Sequence, residues 1–393
     1  MTFRTAAWGL AALAGCASAG GLRDTSGPLT SDGIARAARD AGFRVLEIKA
    51  DIPAAVRPAL PFITIPFEDP YLAGLRQKYG LEKVVEGARD EWIAQLRLKE
   101  WVHKAIPGGN PKVRATRAVE ILDYASRGET FYCTHYAITY VECALALGWQ
   151  ARKIAVDRKH GPEGLGSTHH GVAEVWSNLF RKWVVIDPQS NLHFEKRGQP
   201  LSAWEIRAEW LRDGGAAVDH FVGVPPKAVR KNPAIVWWDR PGEDETAGYF
   251  WLYVVDRVDA EGPGARLLFP QDAANEGLVW YQNEYTSGRS RLHVGYSGRF
   301  QPTRRLEDVY WTVGVVEARV VGVARGSVTL ALDSYLPDRA GYEVSFDGKT
   351  WGRVRDENSV SWTLKAGWNS LRLHALGPRG FTGPQTVVLL RLE

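Results

Sequence analysis

The spacing of apolar residues changes at Gly148, and this change restricts the possible fold more than any other feature of the chain. Before Gly148, apolar residues recur at helical spacing, as in residues 70–105. After it they alternate along short segments, which is typical of half-buried strands. The segments expected as strands are 150–156, 171–176 and 182–187. The sequence therefore predicts an α+β fold in which a helical N-terminal region precedes a sheet.

Cap and turn residues mark the ends of the expected helices. Ser31 is a typical start, Pro111 suits the first helical turn, and Gly148 suits a C-terminal cap. The helices expected on this basis are one that opens at Ser31 and those over 70–105, 111–128, 133–147 and 202–213.

Residues after 225 are typical of strands up to the C-terminus. Val236-Trp237-Trp238, residues 249–255 and residues 278–281 are strand candidates in a β-rich connector over 226–310. Short strands separated by turns predict an immunoglobulin-like β-sandwich over 311–393, which is expected to be an independent domain without catalytic residues. A chain of 393 residues is expected to form two or three domains.

The first residues resemble an export signal over 1–19. Arg4 precedes an apolar run that is too short to span a bilayer. The run ends in Leu13-Ala14-Gly15-Cys16, which resembles the bacterial lipobox and predicts lipidation of Cys16. Cleavage after Ala17-Ser18-Ala19 is the alternative. Both interpretations predict export. Lipidation of Cys16, with Ala17 after it, implies a periplasmic protein that the lipid anchors to the outer membrane.

Charge gives no support for a nucleic-acid partner. The 49 Lys and Arg residues and 45 Asp and Glu residues are interspersed, and the formal net charge is only +4. We find no basic block with interleaved aromatic residues, which such a partner would require. The composition therefore favours a globular protein that does not bind nucleic acid.

The cysteines point to chemistry at one position. Cys133 and Cys143 lie on one expected helix, where ten residues rise about 15 Å. Because a disulfide requires Cα atoms within about 7 Å, these two cysteines cannot pair. An unpaired cysteine at a helix start is unusual in an exported protein, and this favours a catalytic role for Cys133. Cys143, in mid-helix, fits a buried small side chain.

Cys133, His170 and Asp187 form the candidate catalytic triad. In the first turn of a helix, free N–H groups and the helix dipole stabilise a thiolate and a developing oxyanion. His170 and Asp187 lie at the ends of two expected strands. If these strands turn near Asn178-Leu179, His170 lies directly opposite Asp187, where a carboxylate can orient the imidazole.

Other candidate sites have weaker support. His169 is expected on the other face of its strand, and His135 on another side of its helix. A zinc site built from His160, His169 or His170 with Asp157 lacks a spacing such as His-Glu-x-x-His. We therefore predict no metal and no organic cofactor. The 16 Trp residues suit core packing better than sugar-binding platforms.

Three segments carry a resemblance to a known family. They are Cys133 at a helix start with Leu147-Gly148-Trp149-Gln150-Ala151-Arg152 after the helix, His170-Gly171-Val172-Ala173-Glu174-Val175, and Trp183-Val184-Val185-Ile186-Asp187-Pro188. Together they resemble the core of transglutaminase-like proteins over about residues 95–225, within a unit over 20–225. The family often has Trp two residues after the histidine, where this chain has Val172.

The resemblance implies a papain-like core and acyl transfer through a thioester. Cys133 is the implied nucleophile, His170 the proton shuttle and Asp187 the orienting carboxylate, with no cofactor. The implied substrates are amide bonds of peptides, proteins or the cell wall. Val172 in place of Trp favours a wetter site, and so hydrolysis. The alternatives are a cross-linking protein-glutamine transamidase and a non-catalytic surface binding module. The segment from Leu147 to Arg152 and the Asp187-Pro188 end argue against a cell-wall amidase or an arylamine acetyltransferase.

Overall fold

The computed structural model describes residues 27–59, 64–157, 169–213, 215–229, 251–255, 258–259, 266–267, 278–281, 300–355 and 358–393. The predicted signal segment with Cys16 and the predicted strand Val236-Trp237-Trp238 lie outside these residues. Within the described ranges, none of the helices has both the length and the hydrophobicity that crossing a bilayer would take.

The helices lie mainly in the first half of the chain. They are α1 (Ser31–Asp40), α2 (Pro70–Tyr79), α3 (Leu81–Val85), α4 (Glu91–Ala105), α5 (Ala118–Ala125), α6 (Cys133–Ala146) and α7 (Ala203–Asp213). α1, α6 and α7 confirm three predicted helices. The single helix predicted over 70–105 is wrong, because Gly80 adopts a left-handed backbone (φ 58°) and Glu86 is non-helical (ψ 137°), which separates α2, α3 and α4.

The helix predicted over 111–128 is shorter in the structure. α5 begins only at Ala118. The Glu120 carboxylate accepts hydrogen bonds from the backbone N–H groups of Thr116 (2.8 Å) and Arg117 (3.2 Å). These contacts supply acceptors for N–H groups at the start of the helix and place its first turn after Arg117.

The strands of the described residues begin at Gly27, and most of them lie in the second half of the chain. They are β1 (Gly27–Pro28), β2 (Val45–Asp51), β3 (Ala151–Asp157), β4 (His169–Ser177), β5 (Lys182–Ile186), β6 (Leu192–Lys196), β7 (Gln199–Pro200), β8 (Asp219–Val222), β9 (Lys227–Val229), β10 (Trp251–Val255), β11 (Val258–Asp259), β12 (Arg266–Leu267), β13 (Leu278–Tyr281), β14 (Phe300–Thr303), β15 (Val316–Ala324), β16 (Ser327–Ser334), β17 (Gly341–Ser345), β18 (Gly352–Arg353), β19 (Ser359–Thr363), β20 (Gly367–Leu376) and β21 (Thr386–Leu392). The strands predicted after Gly148 are confirmed as β3, β4 and β5.

A six-stranded sheet with the order β14-β13-β10-β3-β4-β5 forms the centre of the fold. Its neighbours are antiparallel except for β13 and β14, which are parallel. Ala151, Ala173 and Val184 pack with α6 on one side, and Ile154 and Val172 pack with α7 on the other. β10 and β13 come from the predicted connector and extend this sheet. The combination of helices with mainly antiparallel sheets agrees with the predicted α+β class.

Two further antiparallel sheets, β1-β15-β16-β19 and β18-β17-β20-β21-β2, share one hydrophobic cluster. Leu330 from the first sheet and Leu373 and Leu390 from the second are fully buried in it. An immunoglobulin-like arrangement of residues 311–393 stays a prediction. β1, α1 and β2, from residues 27–51, also belong to these sheets and their cluster, although the sequence predicted them as part of the unit over 20–225.

A row of aromatic rings joins the central sheet to this cluster. Trp176 of β4 packs edge-to-face on Trp183 of β5, with 6.0 Å between ring centroids. Trp183 packs in the same way on Trp311 at 5.0 Å, and Trp311 on Tyr335 at 4.9 Å. The Trp183 Nε1–H also donates to the Trp311 carbonyl over 2.8 Å. The strands that carry the candidate site therefore share a core with the C-terminal sheets.

A buried ion pair strengthens the same junction. Arg152 of β3 and Glu174 of β4 are both fully buried and lie 2.6 Å apart (Nη2 to Oε2). The other Glu174 oxygen accepts hydrogen bonds from the Ala203 N–H (2.9 Å) and the Tyr310 hydroxyl (2.8 Å), and Arg152 donates to the Val309 carbonyl. Removing one partner of such a pair would leave an unpaired buried charge and is strongly destabilising. Because Val309 and Tyr310 are hydrogen-bonded to this pair, residues 309–310 are held against the central sheet.

Candidate active site

Cys133 is the first residue of α6, and its side chain is only partly buried. Tyr132 before it has an extended backbone (φ −106°, ψ 177°), and its side chain does not cap the helix. The first N–H groups of a helix generally find no acceptor among its own carbonyls, and here the His135 N–H donates to the Tyr132 carbonyl over 2.9 Å. This position favours a thiolate and offers donors to a developing oxyanion.

β4 brings two consecutive residues against this helix start. The Gly171 N–H donates a hydrogen bond to Cys133 Sγ over 3.3 Å. The His170 imidazole, whose side chain is 11 % exposed, is hydrogen-bonded to the Cys133 side chain as well. One strand therefore holds both an imidazole and a backbone donor on the same sulfur.

Asp187 follows β5, is almost fully buried and completes the arrangement. Its Oδ2 atom lies 2.9 Å from His170 Nε2. Its Oδ1 atom accepts hydrogen bonds from the N–H groups of Gln189 (3.0 Å) and Ser190 (3.1 Å). Because Nε2 contacts the carboxylate, Nδ1 is the ring nitrogen left for Cys133. The structure thus brings the three predicted residues together in the order thiol, imidazole and carboxylate.

The predicted pairing of the strands is wrong by two residues. Ala173 pairs with Ile186, so Asp187 lies opposite Val172 and not opposite His170. The hydrogen bond between His170 and Asp187 is therefore a diagonal contact. A shift of two residues keeps a side chain on the same face of a sheet, whereas a shift of one would reverse it. This is why the contact forms even though the predicted register is wrong.

The charged groups of the site shift each other's pKa values toward the ionised forms. Burial by itself lowers the pKa of the His170 imidazole, but the Asp187 carboxylate and the Cys133 sulfur outweigh it and raise that pKa well above its usual range. Burial by itself raises the pKa of Asp187, but the His170 imidazole and the N–H donors of the turn outweigh it and lower that pKa. The site therefore favours an imidazolium between two anions, which is the state that activates a cysteine nucleophile.

A buried lysine lies on the α6 side of the same sheet. Lys153 of β3 pairs with Ala173 and is fully buried. Burial lowers the pKa of its amine to about 7, and its attraction to Cys133 opposes this shift. When protonated, Lys153 adds positive charge near the sulfur and stabilises a thiolate. Sequence reasoning missed it, because a lysine in an alternating strand usually faces solvent.

Other candidates do not join this arrangement. Burial lowers the pKa of His135 to about 4, which keeps its ring neutral, and the ring packs on Phe131 and Tyr132. Cys143 is fully buried, and burial raises the pKa of its thiol well above the usual value. His160 and the His169 side chain lie outside the described residues. Where side chains are described, no three potential metal ligands are grouped together.

Gly171 allows the close approach of β4 to α6, and its replacement by alanine tests that approach. An added Cβ atom would lie 2.9 Å from Thr134 Oγ1 and 3.1 Å from Thr134 Cα, so the strand or the helix must shift. We expect Gly171→Ala to destabilise the protein by about 1–3 kcal/mol and to slow alkylation of Cys133 by about tenfold or more. Iodoacetamide labelling and denaturant unfolding measure the two effects.

Gly352→Ala in β18 is the matched control, since its added Cβ would meet no atom within 4 Å. This variant should be alkylated at the rate of the unmodified protein. Equal rates for Gly171→Ala and Gly352→Ala would show that the tight contact with Thr134 does not position the site.

Comparisons with known proteins show only distant structural similarity. The sequence matches no protein-family model and no curated protein. The structure is similar to a candidate cysteine protease from Cytophaga hutchinsonii, with 12% identity, a TM-score of 0.26, and coverage of 42% of this chain and 51% of that one. It is also similar to red sea bream transglutaminase, with 11% identity, a TM-score of 0.25, and coverage of 82% and 72%. The chain spans about half the length of the Cytophaga protein. Similarities this low decide neither fold nor activity.

Proposed function

We propose that the protein is an exported, transglutaminase-like cysteine enzyme that hydrolyses amide or peptide bonds. The observation that carries the proposal is the continuous contact from Cys133 through His170 to Asp187, with 2.9 Å between His170 Nε2 and Asp187 Oδ2. The Gly171 N–H on the sulfur and the start of α6 beside it support the same chemistry. No other arrangement of His, Asp and Cys in the described residues pairs a partly exposed thiol with a base.

The proposed reaction proceeds through a thioester. The Cys133 thiolate attacks the amide carbonyl carbon, and the N–H groups at the start of α6 stabilise the oxyanion. The C–N bond then breaks, and His170 gives its proton to the leaving amine. Water attacks the thioester while His170 takes a proton from it, the C–S bond breaks, and the carboxylic acid leaves. Asp187 orients the imidazole and stabilises its charged form.

The preference for water as acceptor rests on exposure and not on Val172. Val172 is fully buried with Ile154 and Phe194 in the core that faces α7, so it does not line an opening. The sequence argument from the missing Trp therefore loses its basis. Cys133 and His170 are both partly exposed, which gives solvent access to the thioester. Hydrolysis competes well wherever water is not excluded.

A glutamine-containing peptide tests the reaction and its acceptor together. The purified protein is incubated with the peptide, with and without a labelled primary amine, and the products are identified by mass spectrometry. We expect free acid and ammonia to dominate in both cases. Efficient incorporation of the amine would make the protein a cross-linking transamidase. No turnover of any amide in a peptide and cell-wall panel would favour the binding module.

We also propose that Cys16 is lipidated and anchors the protein to the outer membrane, facing the periplasm. The support is the sequence Leu13-Ala14-Gly15-Cys16 at the end of the apolar run. Cys16→Ser is expected to move the protein from the membrane fraction to the soluble periplasmic fraction, because one lost acyl anchor removes most of its membrane affinity. Fractionation followed by immunoblotting checks this, with Cys143→Ser as the control that stays in the membrane. An unchanged distribution of Cys16→Ser would refute lipidation.

A further inference from the structure

α4 presents four polar residues at intervals of four positions, and each is hydrogen-bonded to the backbone of residues 176–191. The Glu91 carboxylate accepts hydrogen bonds from the Asn178 N–H (2.8 Å) and the Leu179 N–H (3.3 Å). The three others donate to carbonyl groups: Gln95 Nε2 to Trp176 (3.0 Å), Lys99 Nζ to Asn191 (2.8 Å) and His103 Nδ1 to Gln189 (2.9 Å). Residues four apart share one helix face, so these contacts form a continuous polar stripe.

The last two contacts hold the turn that carries Asp187. The Asp187 backbone pairs with Leu192, which closes the turn. The N–H groups of Gln189 and Ser190 point inward to the Asp187 carboxylate. The carbonyls of Gln189 and Asn191 point outward to α4. The N–H groups of the turn therefore hold the Asp187 carboxylate, and its carbonyl groups hold the turn against α4.

We propose that Lys99 and His103 are positioning residues, which hold the turn over 187–192 so that the Asp187 carboxylate stays aligned with His170. This inference rests on the proposed function, because alignment matters only if the Cys133–His170 pair is catalytic. Both residues act through the backbone of the turn, and neither contacts the reacting thiol.

The surroundings of Lys99 support this role. Lys99 is fully buried, and its amine also lies 3.4 Å from His193 Nδ1, whose Nε2 contacts Glu195. Burial lowers the pKa of the Lys99 amine to about 7, while the charges of Asp187 and Glu100 oppose the shift. Burying a lysine amine costs free energy unless the amine is hydrogen-bonded, so breaking the contact between Lys99 and the Asn191 carbonyl would be unfavourable.

The test is the titration of the His170 imidazole, followed by NMR in the full chain and assigned by its absence in His170→Asn. Misalignment of Asp187 removes the contact that raises the pKa of His170. Lys99→Met should therefore lower the His170 midpoint by about 1 unit, which is about a tenfold smaller affinity for the proton. Asp187→Asn should lower it as well. In the double variant, Lys99→Met should add nothing to the effect of Asp187→Asn.

Gln95→Met is the matched control, because it removes a buried hydrogen bond of the same stripe that lies away from Asp187. It should leave the His170 midpoint unchanged. A rise of the midpoint in Lys99→Met would show that Lys99 acts only as a repelling charge, and an additive effect in the double variant would show a general structural role. Either result, or an unchanged midpoint, overturns the inference.

Variants of His103 give a second test, which does not require the substitution of a buried lysine. His103→Leu should lower the His170 midpoint, and His103→Asn should restore it, because the asparagine amide can donate to the Gln189 carbonyl as Nδ1 does. Equal midpoints in these two variants would also overturn the inference. None of these titrations needs turnover. An aligned His170 in a protein that cleaves no amide would therefore count against the proposed function alone.

Discussion

Replacing Cys133 with alanine is expected to reduce amide hydrolysis by about 10⁴-fold or more, since no other group in the proposed reaction can form the thioester. The fold should remain, because Cys133 is only partly buried and alanine is the best helix former. The measurement is the release of acid product from an amide substrate, together with labelling by an iodoacetamide probe. Both should be lost, while the denaturant midpoint of unfolding changes little.

Cys143→Ala is the matched control from the same helix. Cys143 is fully buried, so its truncation removes packing and costs stability. It should nevertheless leave the hydrolysis rate and the labelled position unchanged. Retained activity in Cys133→Ala, or loss of labelling in Cys143→Ala with the fold intact, would assign the chemistry to another residue.

The candidate triad could be predicted because its parts are local. Cys133 has a helix-start signal, and His170 and Asp187 each lie beside a strand whose alternation is visible in the sequence. The Gly171 contact also leaves a sequence signal, since glycine in a strand often marks a close approach of another backbone. What alternation cannot provide is the identity of the approaching group, which here is the start of α6.

The strand register could not be predicted because it depends on the exact position of the turn. Ser177 pairs with Lys182, so the turn over 178–181 is centred one residue later than a turn near Asn178-Leu179, and the register shifts by two. The turn ends with Arg181 in a left-handed backbone (φ 55°). Arginine is uncommon in this conformation, so the sequence contains no signal for the position of the turn.

The polar stripe of α4 was missed for a different reason. A run that contains Gln95, Lys99 and His103 among apolar residues normally places its polar side chains in solvent. Here Gln95 and Lys99 are fully buried, because carbonyl groups of distant strands act as their partners. Only the tertiary structure reveals such partners. The same is true of β2 and β21, which pair across almost the whole length of the chain.

The C-terminal sheets are expected to be necessary for the site, in contrast to the independent domain that the sequence favours. A chain that ends at Arg305 loses β21, the partner of β2, and also Trp311, whose ring packs on Trp183. It further loses the Val309 carbonyl and the Tyr310 hydroxyl that contact Arg152 and Glu174. Removal of one buried Trp side chain, such as that of Trp311, costs about 3–5 kcal/mol, a large part of the roughly 5–15 kcal/mol that stabilises a protein.

We therefore expect the chain that ends at Arg305 to be insoluble, or to label at Cys133 at least tenfold more slowly than the full chain. Co-expression of residues 306–393 as a separate chain is the control, because it restores the missing contacts without a covalent link. Labelling should return if the two pieces associate. A truncated chain that unfolds cooperatively and labels at the full rate would contradict this expectation. It would also show that the shared aromatic core does not support the strands that carry His170 and Asp187.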